Sequence, residues 1–286
     1  MAQPVGAEPA GRRHDGGGRV TPLPAPAEDL ALLAGAAREA GKIATRFWRK
    51  QPKAWDKDAG AGPVTEADIA VDAHLRERLL AARPAYGWLS EESEDEPSRL
   101  DARRTFILDP IDGTRAFIEG HQGFSHAIAV AEGDRIIAGV VYLPVPDLLY
   151  AAAADGPATL NGGPLVPSVP ALDGARVLTA KSNLDPGFWR GRTVPPIKRE
   201  FRPSLAWRLC LVAEGRFDAV LSLRSAWEWD IAAGALIAER AGCTVTDMHG
   251  RRMRFNRPLP AVDGLLIAPP ALHEALSARL APPAAA

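Results

Sequence analysis

The sequence predicts a mixed α/β fold in which sheets are covered by helices, and three observations carry that prediction. Apolar residues recur at spacings of three and four along two early segments, which is the helical period. The stretch 105–160 alternates short apolar runs with turns containing Gly and Asp, the rhythm of antiparallel strands. From residue 176 onward, strand-like and helix-like segments alternate in a βαβ rhythm. A chain of 286 residues is long enough to bury a substantial core.

Each element has its own warrant. Residues 1–28 include ten Gly or Pro, a composition that cannot offset chain entropy by burial, so a disordered tail is expected there. Leu30, Leu33, Ala37, Ala40, Ala44 and Phe47 then mark an amphipathic first helix. A Gly- and Lys-rich loop is expected over 51–63. Thr65 opens a second helix with Ile69, Val71, Leu75 and Leu79 as its core positions, and Arg83-Pro84 stops it. Strands follow at 105–108 and 125–130, and Glu132-Gly133-Asp134 turns the chain into a strand over 136–143. Two further strands, 148–151 and 158–160, flank Asp155-Gly156.

Over 166–173 the composition shifts to Pro, Ser and Gly. This reads as a crossing between an N-terminal α+β unit, 29–165, and a C-terminal α/β unit, 166–286. The second unit is expected to hold strands at 176–179, 217–223, 243–247 and 265–268, with helices over 204–214 and 230–240.

A net charge of −1 argues against a nucleic-acid polymer or a membrane surface as partner. No apolar run approaches the ~20 residues that span a bilayer, and the N-terminus has no signal-peptide core. Cys210 and Cys243 are too few for a disulfide framework and lack zinc spacing, so they read as buried thiols of a cytoplasmic protein.

The chemistry lies in carboxylates. Asp109-Pro110-Ile111-Asp112-Gly113-Thr114 presents two acids after the apolar run Phe106-Ile107-Leu108, on a turn that Pro110 keeps out of any helix. Trp229-Asp230-Ile231-Ala232-Ala233 supplies a third acid at the mouth of a helix, where it could equally be an N-cap. Glu91 and Glu92 follow the strand end Gly87-Trp88-Leu89-Ser90, whereas Glu94, Asp95 and Glu96 read as a solvated run. Pro63-Val64-Thr65-Glu66-Ala67-Asp68 adds another acid, for which a capping box competes as the explanation.

Acids gathered in one cleft would take up protons unless a cation sat among them. Oxygen donors without Cys or His suit a hard ion such as Mg2+, which keeps sites open for water and phosphate. An EF-hand loop begun at Asp109 fails, because its twelfth position is Gly120. Gly113 and Thr114 stand where a turn becomes a helix near Arg115, so their amides can hold a phosphate. Trp227 and Trp229 read as packing, and His121 and His126 as non-ligands. Neither a P-loop, a His-Glu-x-x-His nor a Gly-x-Ser-x-Gly elbow is present.

Four of these segments, in this order over roughly 29–269, resemble the inositol monophosphatase superfamily of magnesium-dependent, lithium-sensitive phosphomonoesterases. The resemblance implies a layered αβαβα sandwich with the site between its halves, and two or three Mg2+ ions as cofactor. It assigns Glu91 and the Ile111 carbonyl to the first metal, Asp109 to a bridge, and Asp112 and Asp230 to the second, with Glu92 secondary. Thr114 and Asp68 would orient the attacking water, and Lys57 matches a mobile-loop lysine near the metals. Gly113 and Thr114 would hold the reacting phosphate. Family members include monomers and homodimers.

Within the superfamily the chain looks most similar to bacterial 3′(2′),5′-bisphosphate nucleotidases. Their helix resembles residues 205–215 here, with a lysine matching Arg208. Inositol-specific relatives carry a carboxylate seven residues before the acid matching Asp230, where this chain has Leu223. The expected substrate is therefore a bisphosphate nucleotide, with Arg208 and Arg224 on its distal phosphate. The alternative is inositol 1-phosphate or a related sugar or polyol phosphate. Outside enzymology, the same acids could serve a non-catalytic cation-binding module or a merely structural acidic surface.

Overall fold

Two sheets and three helical layers stack in the order α-β-α-β-α in the computed structural model, which describes residues 23–57 and 62–281. The first half contains α1 (Pro26–Phe47), a small antiparallel hairpin of β1 (Ala54–Asp56) and β2 (Pro63–Thr65), α2 (Glu66–Ala82), β3 (Gly87–Ser90), β4 (Arg104–Asp112) and α3 (Thr114–Ile118). After them come β5 (Ser125–Glu132), β6 (Arg135–Leu143), β7 (Leu148–Ala153), β8 (Thr159–Leu160) and β9 (Gly163–Pro164). Strands β3 to β9 form one sheet in sequence order, antiparallel except for the parallel pair β3–β4.

The second half contains β10 (Arg176–Thr179), β11 (Lys198–Glu200), α4 (Leu205–Ala213), β12 (Ala219–Ser222), β13 (Ala226–Trp227), α5 (Glu228–Ala241), β14 (Thr244–Thr246), β15 (Ala261–Val262), β16 (Leu265–Ala268) and α6 (Pro270–Ser277). Its five-stranded sheet runs β11-β10-β12-β16-β14, parallel across the first three strands and antiparallel thereafter.

Helices α1 and α2 cover one face of the large sheet through Leu33, Ala37, Ala40, Val71, Leu75 and Leu79, all fully buried. Burying a Leu or Val contributes roughly 1.5–3 kcal/mol. Helices α4 and α5 fill the space between the sheets, and α6 covers the outer face of the smaller one. The chain changes sheets between Pro164 and Arg176, near the expected crossing, but α5 packs on β4, β5, β6 and β7. One core therefore joins both halves.

Helix α5 lies close to the sheet because small residues meet. A Cβ on Gly139 of β6 would stand 3.0 Å from the Ala233 Cα. The alanines after Asp230 are thus a packing requirement, and close packing fixes where α5 begins.

Several sequence expectations are corrected. Residues 1–22 of the expected tail lie outside the described residues, but 26–28 are already helix, because Pro26 suits a first helical position and Glu28 and Asp29 favour its N-terminus. The segment 51–63 was expected to be all loop, yet it carries β1 and enters β2. These strands are three residues long, and every β1 residue is exposed, so no apolar alternation marks them. Ile69, expected in the core, is 43% exposed. Among the described residues no helix is long and apolar enough to cross a membrane.

Candidate active site

Asp109 and Asp112 both belong to β4, which was expected to end before them. The pairing with β5 runs regularly to Asp109–Ala127 and resumes one residue out of step at Asp112–Ser125. Pro110 has no N–H for the ladder, so an extra residue is accommodated as a bulge. The Asp109 carboxylate accepts the Ile111 N–H at 2.9 Å, and His126 Nδ1 donates to the Pro110 carbonyl. Gly113 then adopts φ +96°, a conformation suited to glycine, and α3 starts at Thr114, one residue before expectation.

Three carboxylates converge. Oxygens of Glu91, Asp109 and Asp230 lie within 4.8 Å of one another, Asp109 buried and the other two half-buried. Burial, followed by the charges of Glu91, Asp112, Asp230 and Asp68, drives the Asp109 carboxyl well above the ordinary carboxylate range. Burial and then Asp112 and Glu91 do the same to Asp230. Asp230 is not the N-cap of α5, since the helix starts two residues earlier and the cap is Trp227. It sits in the first turn, aimed at the acids.

Asp112 is better satisfied. It accepts Ser204 Oγ at 2.6 Å, Ala206 N–H at 2.6 Å and Leu205 N–H at 3.1 Å, joining β4 to the N-terminus of α4. Burial still raises its carboxyl to about 6 against those donors. Its Oδ1 takes only one of these bonds, which leaves it room for a further partner.

Asp68 serves two partners from one rotamer. Its Oδ2 accepts the Thr65 N–H at 2.8 Å, completing the capping box, while Oδ1 accepts the Thr114 hydroxyl at 3.2 Å. The two readings of Asp68 are therefore compatible. Thr114 Oγ1 also reaches the Ile111 carbonyl at 3.1 Å. Lys57 Nζ bridges Glu91 and Glu92, at 2.7 Å from each, and burial raises the Glu92 carboxyl to about 7.

The two arginines expected at the substrate lie elsewhere. Arg224 is exposed and does not line the cavity. Arg208 feels the charges of Asp112 and Asp230 but does not line the cavity; its Nε and one terminal nitrogen donate to the Arg202 and Pro203 carbonyls, and its guanidinium stacks 4.3 Å from the Phe201 ring. It holds the segment entering α4. Leu223 is buried in the outer core rather than in the cavity. Trp227 and Trp229 stack on each other at 4.9 Å.

Sequence reasoning missed Ser204 and Asp72. Ser204 was visible as the first residue of an expected helix, but its hold on Asp112 crosses 92 positions. Asp72, one turn after Asp68, accepts the Ser90 and Ser93 hydroxyls at 2.5 and 2.8 Å, clamping the turn that carries Glu91 and Glu92.

The acids and the Gly113-Thr114 step line a cavity of about 980 Å3 that reaches past α3 to Phe201, Trp207 and Arg216. Buried carboxylates with oxygen donors only, raised by mutual repulsion, fit a hard divalent cation such as Mg2+. Glu91, Asp109, Asp112 and Asp230 are the residues that would hold it.

Residues 26–283 match the inositol monophosphatase family. The chain is 35% identical over 233 residues to an inositol-1-monophosphatase of Rhizobium meliloti, spanning 77% of this chain and 86% of that protein. It is 30% identical over 225 residues to the 3′(2′),5′-bisphosphate nucleotidase CysQ of Salmonella typhimurium, spanning 77% and 90%. Among solved structures it resembles an inositol monophosphatase from Zymomonas mobilis, with a TM-score of 0.71 and 28% identity over 90% of this chain and 98% of that one.

Proposed function

The chain belongs to the inositol monophosphatase family and is a metal-dependent phosphatase, and from that premise we propose that it hydrolyses 3′(2′),5′-bisphosphate nucleotides. An example is 3′-phosphoadenosine 5′-phosphate, with two or three Mg2+ ions as cofactor. The observation that carries the phosphatase chemistry is the Glu91–Asp109–Asp230 cluster, in which, among the described residues, Lys57 is the one cation paired with an acid, at Glu91, and the Asp109 carboxyl stays raised by burial and its acidic neighbours. When bound, Mg2+ supplies positive charge for the phosphoryl oxygens and acidifies the attacking water.

The chain's own residues do the rest. The Thr114 hydroxyl and the Asp68 carboxylate, already joined at 3.2 Å, orient a water toward phosphorus and accept its proton. The amides of Gly113 and Thr114 hold the non-bridging oxygens. The water oxygen bonds to phosphorus as the ester P–O bond breaks in line, without a covalent enzyme intermediate and with inversion. The departing alcohol takes its proton from solvent. Asp112, tied to α4, keeps the two halves in register around the phosphate.

Support for a nucleotide comes from the size of the cavity and from the Salmonella relative. A second reading, inositol 1-phosphate, is favoured by the Rhizobium relative. The test is a phosphomonoester panel with and without Mg2+. Chelation should abolish turnover, and 3′-phosphoadenosine 5′-phosphate should show a higher kcat/KM than inositol 1-phosphate. The reverse ranking would promote the second reading.

A further inference from the structure

Beyond Thr114 the cavity wall changes character. Arg115, one residue or about 3.8 Å of backbone further along, lines the cavity and is exposed. It forms no ion pair among the described residues. Glu119, which follows α3 on the same wall, lies 3.3 Å from the His121 ring. The same cavity is lined by Phe201, 49% exposed, and by Trp207. The Phe201 ring is held in place by the Arg208 guanidinium stacked 4.3 Å from its centroid, and Arg208 is in turn tied to the backbone of residues 202 and 203.

Arg216 also lines the cavity. Its Nε lies 3.1 Å from Glu214, and the other Glu214 oxygen accepts the Tyr150 hydroxyl at 2.6 Å. Arg216 is paired with Glu214 by charge alone, and its N–H groups remain available as donors.

We propose that this wall is a specificity subsite for a second anionic group and a planar base on the same substrate. Arg115 binds the second phosphate, Phe201 and Trp207 take the base against their rings, and Arg216 offers hydrogen bonds to its edge. The chemistry is that of a nucleoside bisphosphate: a reacting phosphate at Gly113-Thr114, a second phosphate within reach of the neighbouring arginine, and an aromatic ring beyond. A guanidinium matches phosphate with paired donors, and aromatic faces bind bases without needing their sequence of donors. The assignment rests on the bisphosphate reading above and moves the second phosphate from Arg208 and Arg224 to Arg115.

The experiment compares kcat/KM for adenosine 3′,5′-bisphosphate, adenosine 3′-monophosphate, glycerol 2-phosphate and inositol 1-phosphate at saturating Mg2+. It uses the full chain and the Arg115→Ala, Arg115→Lys and Phe201→Ala variants. Both side chains are exposed, so the variants should unfold at the wild-type temperature. Arg115→Ala should lower the bisphosphate-to-monophosphate selectivity ten-fold or more, chiefly through KM. Arg115→Lys should recover part of the loss. Phe201→Ala should lower the preference for adenosine monophosphate over glycerol 2-phosphate at least three-fold. If the wild type prefers the bisphosphate and neither selectivity moves, the subsite is wrong while the function stands. If the wild type prefers inositol 1-phosphate, the bisphosphate reading fails before any variant is compared, and the subsite falls with it.

Discussion

Strand β4 buries charge at both of its ends, and in opposite company. At its start, Arg104 meets Asp29 of α1, which is fully buried. Asp29 takes Arg83 and Arg104 at 2.9 Å each and the Tyr86 hydroxyl at 3.0 Å. At its finish, Asp109 is 2% exposed and surrounded by Glu91, Asp112, Asp230 and Asp68. The two aspartates are equally removed from water. One comes with its cations built into the chain, the other with acids and a place for a cation to arrive. A buried acid with its own arginines holds a fold together, whereas a buried acid among acids is a binding site awaiting charge.

Substitutions at the two ends should therefore fail differently. Asp109→Asn should lower kcat at least 1000-fold, about 4 kcal/mol of transition-state stabilisation. It should also leave metal-free stability unchanged or raised, since it removes repulsion. A variant retaining a tenth of the rate, a loss of only about 1.4 kcal/mol, would mean that Asp109 does not bridge cations. Asp29→Asn should do the reverse. Breaking a buried ion pair from one side costs about 3–5 kcal/mol of stability, read by urea unfolding. The Mg2+ concentration for half-maximal activity should not move. Should that concentration shift in Asp29→Asn, the two ends of β4 are coupled and the contrast fails.

How much of this was legible follows the same divide. The acids Glu91, Asp109, Asp112 and Asp230 stood out because their chemistry is local: short segments with unusual residues beside apolar runs. Helices α1 and α2 were legible because burial on one face spaces their core residues by three and four, and α4 and α5 because they are long apolar runs, buried between the two sheets on consecutive residues. What escaped was relational. The Asp29 network joins residues more than 50 positions apart, and Ser204 meets Asp112 across 92. No local pattern announces such pairs. The bulge at Pro110 was read as a turn because proline excludes a helix as readily as it disturbs a ladder. Arg208 was read as a substrate cation because its helix resembles that of the bisphosphate nucleotidases, but its Nε and one terminal nitrogen donate to the backbone just before the helix.

A third way of burying a titratable group appears opposite the bulge. His126 is fully buried and donates from Nδ1 to the Pro110 carbonyl, while its Nε2 has no partner, so the ring is neutral. Burial lowers its pKa from 6.5 to about 4. Unfolded, the ring gains a proton near 6.5; folded, it does not until about 4. The unfolded state thus binds more protons between those values, and stability falls as pH falls through them. At about 1.4 kcal/mol per pH unit, going from pH 6.5 to pH 5 should cost about 2 kcal/mol. Urea unfolding at both pH values should show wild type losing that much more than His126→Gln. Equal losses in the two proteins would mean that His126 titrates normally.

The smallest expected effect belongs to Asp72, and it tests whether the acid end of β4 depends on being held as well as on being charged. Asp72 touches no cavity; it accepts Ser90 and Ser93, which bracket Glu91 and Glu92, and Trp88 Nε1 donates to Ser93 from below. In Asp72→Asn one oxygen still accepts, but the amide nitrogen turns a donor toward a hydroxyl that was itself donating. The Glu91 turn should loosen while the acids themselves remain. Partners that orient metal ligands typically affect metal affinity by about 10–100-fold when changed. Because only one of several ligands is affected, the expectation is the lower end: about ten-fold more Mg2+ for half-maximal activity, or about 1.4 kcal/mol, with kcat restored once Mg2+ saturates. Ser93→Ala should raise the requirement by less, and the double variant should be no worse than Asp72→Asn, because both changes break the same clamp. Were kcat to fall at saturating Mg2+ with the requirement unchanged, Asp72 would be part of the fold alone and the turn would need no clamp.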